Sequence, residues 1–381
     1  MSISLVNNSK FDIVSYVIRK MAEAVAEWIE NELINGTASK IEGLSKVTAS
    51  VTAAAATAIT SDELGRAEID YGKCVSCGMC LVNCPFGAIV DKGQIFQTIH
   101  AMKSGKEVIA AIAPAFVGQF GPTVTPEKVK GALKELGFAD VVEVAIGADL
   151  CTVEEAEDFL SKVPAEQPFM ATSCCPAWSV MAKKLFPDFK PYISMALTPM
   201  VLTGRLIKKQ KPDAKVVFIG PCAAKKLEAS RKSVRSDVDF VLTFEEVMGM
   251  FEAKGINLPQ VEADAPFEEG TANGRGFAVS GGVANAVKQC IQKEHPDKEV
   301  LIDSAEGLKN CRTMLMMAKA GKRNGYLLEG MACPGGCVAG AGTLQPVIKS
   351  SALVKKYTND AEKKLAFESE YLDNLDLLTK E

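Results

Sequence analysis

Val216-Val-Phe-Ile-Gly-Pro-Cys-Ala-Ala-Lys-Lys-Leu-Glu228 is a short apolar run that stops at Gly-Pro, delivers a thiol and continues with two lysines. A run of this length without polar alternation predicts a strand over Val216–Ile219 covered on both faces. Phe169–Thr172 repeats the arrangement and runs straight into Ser173-Cys-Cys-Pro176. Val108–Pro114 and Val141–Ile146 read as two further strands. Between them Pro126–Leu136 reads as a helix, with Thr125 as its N-cap and Pro126 at its first position. Apolar strands alternating with helices predict an α/β fold of parallel sheets flanked by helices. Sites in such sheets gather at the carboxyl ends of strands, where two of these cysteine motifs lie.

The 381 residues are enough for two or three domains with their own cores. A hydrophobic content of 48% and a charged content of 24% are ordinary for a globular protein. A net charge of −4 gives no electrostatic footprint for nucleic acid or an anionic membrane. No basic n-region, twin-arginine pair or spanning apolar run stands in the sequence, so a cytoplasmic protein is expected.

Twelve cysteines in such a compartment argue against disulfides, and two histidines argue against imidazole-built metal sites. Cys74, Cys77, Cys80 and Cys84 form Cys-x2-Cys-x2-Cys-x3-Cys-Pro, the bacterial-ferredoxin spacing for a 4Fe-4S cluster. In two-cluster ferredoxins the fourth cysteine of such a run serves the other cluster. Here Cys84, or a distant thiol such as Cys151, Cys290 or Cys311, is left as the fourth ligand. Near the C-terminal end, Glu329-Gly-Met-Ala-Cys-Pro-Gly-Gly-Cys337 sets two thiols around Pro334, Gly335 and Gly336. Paired glycines let a loop take positive φ and come close to a bulky ligand. Cys175 or Cys174, with Cys222, Cys333 and Cys337, supply four thiolates, the number one cubane requires. Glu155, Asp158 and Lys162 fall on one helical face at i, i+3, i+7, either as a proton path or as a solvated acidic face.

Three stretches in this order, Thr172-Ser-Cys-Cys-Pro-Ala-Trp178, Pro221-Cys-Ala-Ala-Lys-Lys-Leu-Glu228 and Glu329–Cys337, resemble the signature motifs of iron-only (FeFe) hydrogenases. The resemblance runs over about residues 71–360 and includes Gly147-Ala-Asp-Leu150 and Ser280-Gly-Gly-Val283. It implies an H-cluster: a 4Fe-4S cubane joined through one cysteine sulfur to a di-iron unit with CO, cyanide and a bridging azadithiolate. It further implies Cys175, Cys222, Cys333 and Cys337 as cubane ligands, with Cys337 shared with the di-iron unit. Cys174 would pass protons, Lys225 would donate to a cyanide, Met331 would pack on the di-iron unit, and Ala113 and Pro114 would meet the other cyanide. Glu155, Asp158 and Ser194 would form the relay, with Lys162 at its mouth. The chain departs from the pattern at Gly220, where Met is common, at Ala115 for Ser, at Cys151 for Thr, and at Lys162 for Arg.

The resemblance implies reversible reduction of protons to H2, with electrons exchanged through the 74–84 cluster with a ferredoxin-type redox protein. It also implies maturation proteins that supply the di-iron unit. Two other readings stand beside it: a low-turnover sensory hydrogenase and a non-catalytic iron–sulfur assembly protein. The expected organisation is a helical segment over residues 1–68, a ferredoxin-like α+β module over 69–104 and a two-lobed H-cluster domain over 105–381. Phe11–Leu33 shows the apolar spacing of an amphipathic helix. Cys290 and Cys311 read as core thiols, Trp178 as a shield behind the cluster, and Lys355–Glu381 as a surface helix with Leu353 and Tyr357 covering the domain.

Overall fold

A computed structural model describes residues 58–61, 67–83 and 89–379. The expected helix over Phe11–Leu33 and Cys84 lie outside the described residues. The chain divides into two compact units, the residues up to Cys74 with 79–91, and Val75–Gly78 with Lys92 onward.

In the smaller unit, strand β1 (Ile59–Ser61) pairs antiparallel with β2 (Ala67–Ile69), and helix α1 (Met79–Asn83) carries Cys80. The Asp70 carbonyl accepts the N–H groups of Lys73 and Cys74 at 3.0 and 2.8 Å, a tight turn that places Cys74.

The larger unit opens with α2 (Ile95–Lys103), β3 (Val108–Ile112), α3 (Pro126–Leu136), β4 (Asp140–Glu143) and α4 (Ala145–Lys162). Next come β5 (Met170–Ala171), α5 (Pro176–Leu185), α6 (Pro199–Gln210), β6 (Lys215–Gly220), α7 (Ala223–Ala229), β7 (Phe240–Thr243) and α8 (Phe244–Lys254). It continues through α9 (Ala272–Gly276), α10 (Gly282–Glu294), β8 (Leu301–Glu306), α11 (Leu308–Lys319), β9 (Tyr326–Met331), α12 (Val347–Asn359) and α13 (Leu375–Thr379). Two parallel sheets result, ordered β4-β3-β6-β7 and β5-β9-β8. The fold is thus the α/β class expected.

Local chemistry accounts for these elements. Thr125 caps α3 by accepting the Lys128 N–H, and Pro126 occupies the first turn, where a missing N–H costs nothing. The central strand β3 is buried along its whole length, and Ala110 and Ala111 let helices press close on both faces. On one side Phe120 meets Phe244 and Phe251 edge-on, with ring centroids 5.9 and 5.7 Å apart.

Several boundaries differ from the sequence reading: the Val108–Pro114 strand stops at Ile112, before a 3-10 turn over Pro114–Phe116, and the Phe169–Thr172 strand shrinks to Met170–Ala171. β4 stops at Glu143 and Val144 opens α4, so residues 144–146 are not strand. A Cβ at Gly147 would come within 2.2 Å of the Pro199 carbonyl, so the close crossing of α4 and α6 fixes this segment as helix. The C-terminal tail is not one helix: α12 ends at Asn359, and turns follow before α13. Leu353 and Tyr357 do cover the domain. Leu353 fills the space beside Gly118, and Tyr357 packs edge-on against Phe116.

Candidate metal centre

Strand ends and helix starts place the thiols. Cys175 follows β5 and occupies the N-cap of α5, while Cys222 follows β6 and caps α7. Cys333 and Cys337 lie on the loop after β9. In that loop Gly335 and Gly336 have φ of +101° and +93°. A Cβ on Gly336 would come within 2.6 Å of the Ser280 N, so the glycine serves close packing of the loop against its own chain.

The four sulfurs are electrostatic neighbours. Burial pushes the Cys222 thiol up to about 11, with Cys175 adding to the rise and Lys225 opposing it. Burial likewise raises Cys337 to about 12, with Cys222 and Cys175 next in effect. Cys333 is driven well above the usual thiol range by burial, followed by Cys222, Cys175 and Cys337. Burial raises Cys175 as well, opposed by the N–H groups of Ala332 and Trp178, by Lys225 and by the Ala177 N–H. As thiolates, these partly buried sulfurs would repel one another. A positive iron–sulfur core would take them as thiolates and relieve the repulsion. Among the described residues no three His, Cys, Asp or Glu side chains gather as a single-ion site would require. By donor chemistry, four cysteine sulfurs are the set one cubane takes.

Beside them lies a nearly apolar cavity of about 80 Å³. Ala113, Pro114, Cys174, Cys175, Cys222, Lys225, Met331 and Cys337 line it, as do Ala115 and Phe218. Lys225 Nζ donates to Glu228 Oε2 at 2.6 Å and to the Cys174 carbonyl at 3.3 Å. Burial works against its charge, but Glu228 and the Cys222 and Cys174 thiols hold its pKa above the ordinary lysine value. Phe218 explains Gly220: a Cβ there would lie 2.5 Å from the Phe218 ring, which takes the space of a larger side chain. Trp178 is wholly buried, lies over Gly330 and donates its indole N–H to the Thr172 carbonyl at 3.0 Å.

Behind Cys174 stands a carboxylic acid. Glu155 is fully buried; its Oε1 accepts the Ser173 N–H at 3.3 Å and its Oε2 has no hydrogen-bond partner. Burial raises its pKa to about 8; the Ser173 N–H, then the nearby Ser194, pull it down. One turn on, Asp158 pairs with Lys162 at 2.9 Å, partly in solvent. Cys174 is driven well above the thiol range by burial, followed by Glu155. Of the expected relay members, Glu155, Asp158 and Lys162 lie on α4, while Ser194 lies off it, its N–H donating to the Ala171 carbonyl at 2.7 Å. Cys151, wholly buried, also feels Glu155 and Cys174.

Of the N-terminal cysteines, Cys74 and Cys80 belong to the smaller unit and Cys77 to the larger. Cys77 packs on the core cluster that holds Cys175, Cys222 and Ala332, and it contributes to the raised pKa of Cys333.

Sequence reasoning missed several supporting residues. Asp149 accepts the Thr271 N–H at 3.0 Å and its hydroxyl at 2.5 Å. Arg275 pairs with buried Glu143 at 3.0 Å and stacks over the Tyr357 ring at 4.0 Å. Together these fix the segment whose Gly274, Phe277 and Ala278 line the cavity. Glu329 accepts the N–H groups of Gly281 and Ala284, both at 2.8 Å, tying the Ser280–Val283 turn to β9. Asp149 and Glu329 stood inside quoted motifs, a signal that could have found them; Arg275 and Glu143 gave none.

Fold and site together define an iron–sulfur protein of the α/β class. The family described as "Iron only hydrogenase large subunit, C-terminal domain" matches residues 106–341, and a 4Fe-4S binding domain matches residues 66–89. The phage capsid family also matches residues 1–72, which lie mostly outside the described residues. The chain belongs to the iron-only hydrogenase large-subunit family.

It is 31% identical to the NADP-reducing hydrogenase subunit HndD of Solidesulfovibrio fructosivorans, over 77% of this chain and 60% of that protein. It is also 31% identical to the periplasmic Fe hydrogenase large subunit of Nitratidesulfovibrio vulgaris, over 75% of this chain and 88% of that protein. Cytosolic iron-sulfur assembly component 3 of Mus musculus is 25% identical, over 78% of this chain and 76% of that protein. The chain thus spans less than two thirds of the first relative and most of the other two. An apo FeFe-hydrogenase from Chlamydomonas reinhardtii shares the fold with a TM-score of 0.62 at 21% identity, covering 74% of this chain and 94% of that one. Among the described residues no helix is long and apolar enough to cross a membrane.

Proposed function

We propose that the chain is a catalytic FeFe hydrogenase that interconverts two protons, two electrons and H2. The observation that carries this reading is the convergence of Cys174, Lys225 and Met331 on one apolar cavity beside four partly buried thiols. In this reading Cys175, Cys222, Cys333 and Cys337 hold the cubane, and Cys337 is shared with the di-iron unit. When bound, the H-cluster supplies the redox centre at which protons and electrons meet. Cys174, held as a thiol by burial, hands protons to Glu155. With a pKa of about 8, Glu155 can hold or release a proton near neutral pH. Ser194, Asp158 and Lys162 carry it to solvent. Lys225 gives a fixed cation for an anionic ligand, and Ala113 and Pro114 shape the opposite wall.

In the same reading Cys74, Cys77 and Cys80, completed by Cys84, hold one further 4Fe-4S cluster, and the chain divides into segments 1–68, 69–104 and 105–381. Electrons come from a ferredoxin-type protein, and maturation proteins supply the di-iron unit. In the same reading the chain works in the cytoplasm.

The rival is a non-catalytic assembly protein, favoured by similarity to the mouse protein. A scaffold for a cubane alone gains nothing from a protonated thiol, a buried acid and a lysine gathered at an apolar cavity. Exchange between H2 and deuterated water on matured protein separates the readings. Formation of HD supports the enzyme; its absence from protein with full iron content supports the scaffold or a sensor of very low turnover.

A further inference from the structure

Cys311 is a buried thiol that the proposed reaction leaves unused. It lies in the first turn of α11 with no solvent exposure. Its Sγ lies 3.3 Å from the Ala305 carbonyl and 3.5 Å from the Met331 carbonyl, so one S–H is shared between the two. The Met331 oxygen also accepts the Gly307 N–H at 2.8 Å. The Met331 C=O and the Ala332 N–H are two ends of one planar peptide unit. That Ala332 N–H donates to Cys175 Sγ at 3.5 Å. A continuous path therefore runs from the Cys311 S–H, through one peptide bond, to the Cys175 sulfur.

We infer that Cys311 is a positioning residue that tunes the cubane, polarising the Met331–Ala332 peptide so that its N–H binds the Cys175 sulfur more strongly. The inference rests on the reading of Cys175 as a cubane ligand. Donation to a carbonyl makes the N–H on its far side more acidic, and linked hydrogen bonds strengthen each other by about 10–30%. Hydrogen bonds to cluster sulfurs are among the levers that set iron–sulfur potentials. A reduced cluster carries one more negative charge than an oxidised one, so a stronger N–H donor favours the reduced form.

The position also asks for a small apolar side chain, since Cys311 packs among Leu308, Leu315, Ala305 and Ala332. Alanine or valine would meet that demand. Only the thiol adds a donor, and burial keeps it protonated, with Cys175 the next influence in the same direction.

The test uses the full chain with its iron–sulfur clusters but no di-iron unit, with cluster potentials read by EPR-monitored redox titration. Cys311→Ala and Cys311→Val are expected to shift the cubane potential negative at unchanged iron content. Cys311→Ser, with a stronger donor, is expected to return it to the parent value or above. The N-terminal cluster serves as an internal control and stays fixed. Parent potentials in all three variants would overturn the inference, as would a Ser variant that tracks Ala. A Cys175→Ser control separates the two levels: if it leaves the cubane spectrum unchanged, the ligand assignment has failed and the inference falls with it.

Discussion

Lys225 and Glu228 lie one turn apart on α7 and form a buried ion pair at 2.6 Å, so the cation facing the cavity is held by its own helix. Breaking a buried pair by removing one partner strands the other charge, at a cost of about 3–5 kcal/mol. Lys225→Met should lower the unfolding free energy of the metal-free chain in urea by about that much. The double variant Lys225→Met/Glu228→Leu should recover most of the loss. Equal losses in both would mean that the pair contributes nothing through its charges.

Gly220 and Phe218 should behave as one unit. Gly220→Ala puts a methyl where the Phe218 ring lies, and overpacking of this kind costs about 1–3 kcal/mol. Shortening the ring side chain as well, in Gly220→Ala/Phe218→Leu, should cost less than the two single changes added together. Additive losses would show that the ring does not occupy the space above Gly220.

Asp149 gives a pH signature. Burial raises its pKa from 3.8 to about 7, with the Thr271 hydrogen bonds opposing. The folded state therefore keeps a proton that the unfolded chain has lost, and stability falls as pH rises from about 4 to about 7. The slope for one such group reaches about 1.4 kcal/mol per pH unit. Asp149→Asn should remove that slope, read as the difference between parent and variant unfolding free energies across the range. Parallel curves would show that Asp149 does not titrate there.

The relay should separate chemistry from stability. Cys174→Ala in matured protein should cut turnover by roughly 10²–10⁴-fold, the usual worth of a general acid–base group. Lys162→Ala breaks a partly exposed pair and should change stability by less than about 1 kcal/mol. Full turnover in Cys174→Ala would remove the role assigned to it.

Much of this architecture was legible because thiol ligation demands particular spacings. Cys175, Cys222, Cys333 and Cys337 each follow a strand, and apolar runs such as Val216–Ile219 announce the strands that carry them. The helix over Pro126–Leu136 was equally plain, since Thr125 and Pro126 mark its start locally. Partners from distant stretches were not legible. Arg275 finds Glu143 across 132 positions, and Asp149 finds Thr271 across 122. The Cys311 thiol reaches Met331 only when α11 packs beneath β9. Such pairings depend on how layers pack, and no local pattern encodes them.

The central claim is that the cavity beside Cys337 holds a di-iron unit with CO and cyanide ligands. Infrared spectroscopy of matured protein tests it most directly, since those ligands absorb where protein and water leave a window. The account predicts a set of sharp CO and cyanide bands that shift under H2, and that persist in Cys174→Ala. Protein with full iron content and no such bands would contradict it.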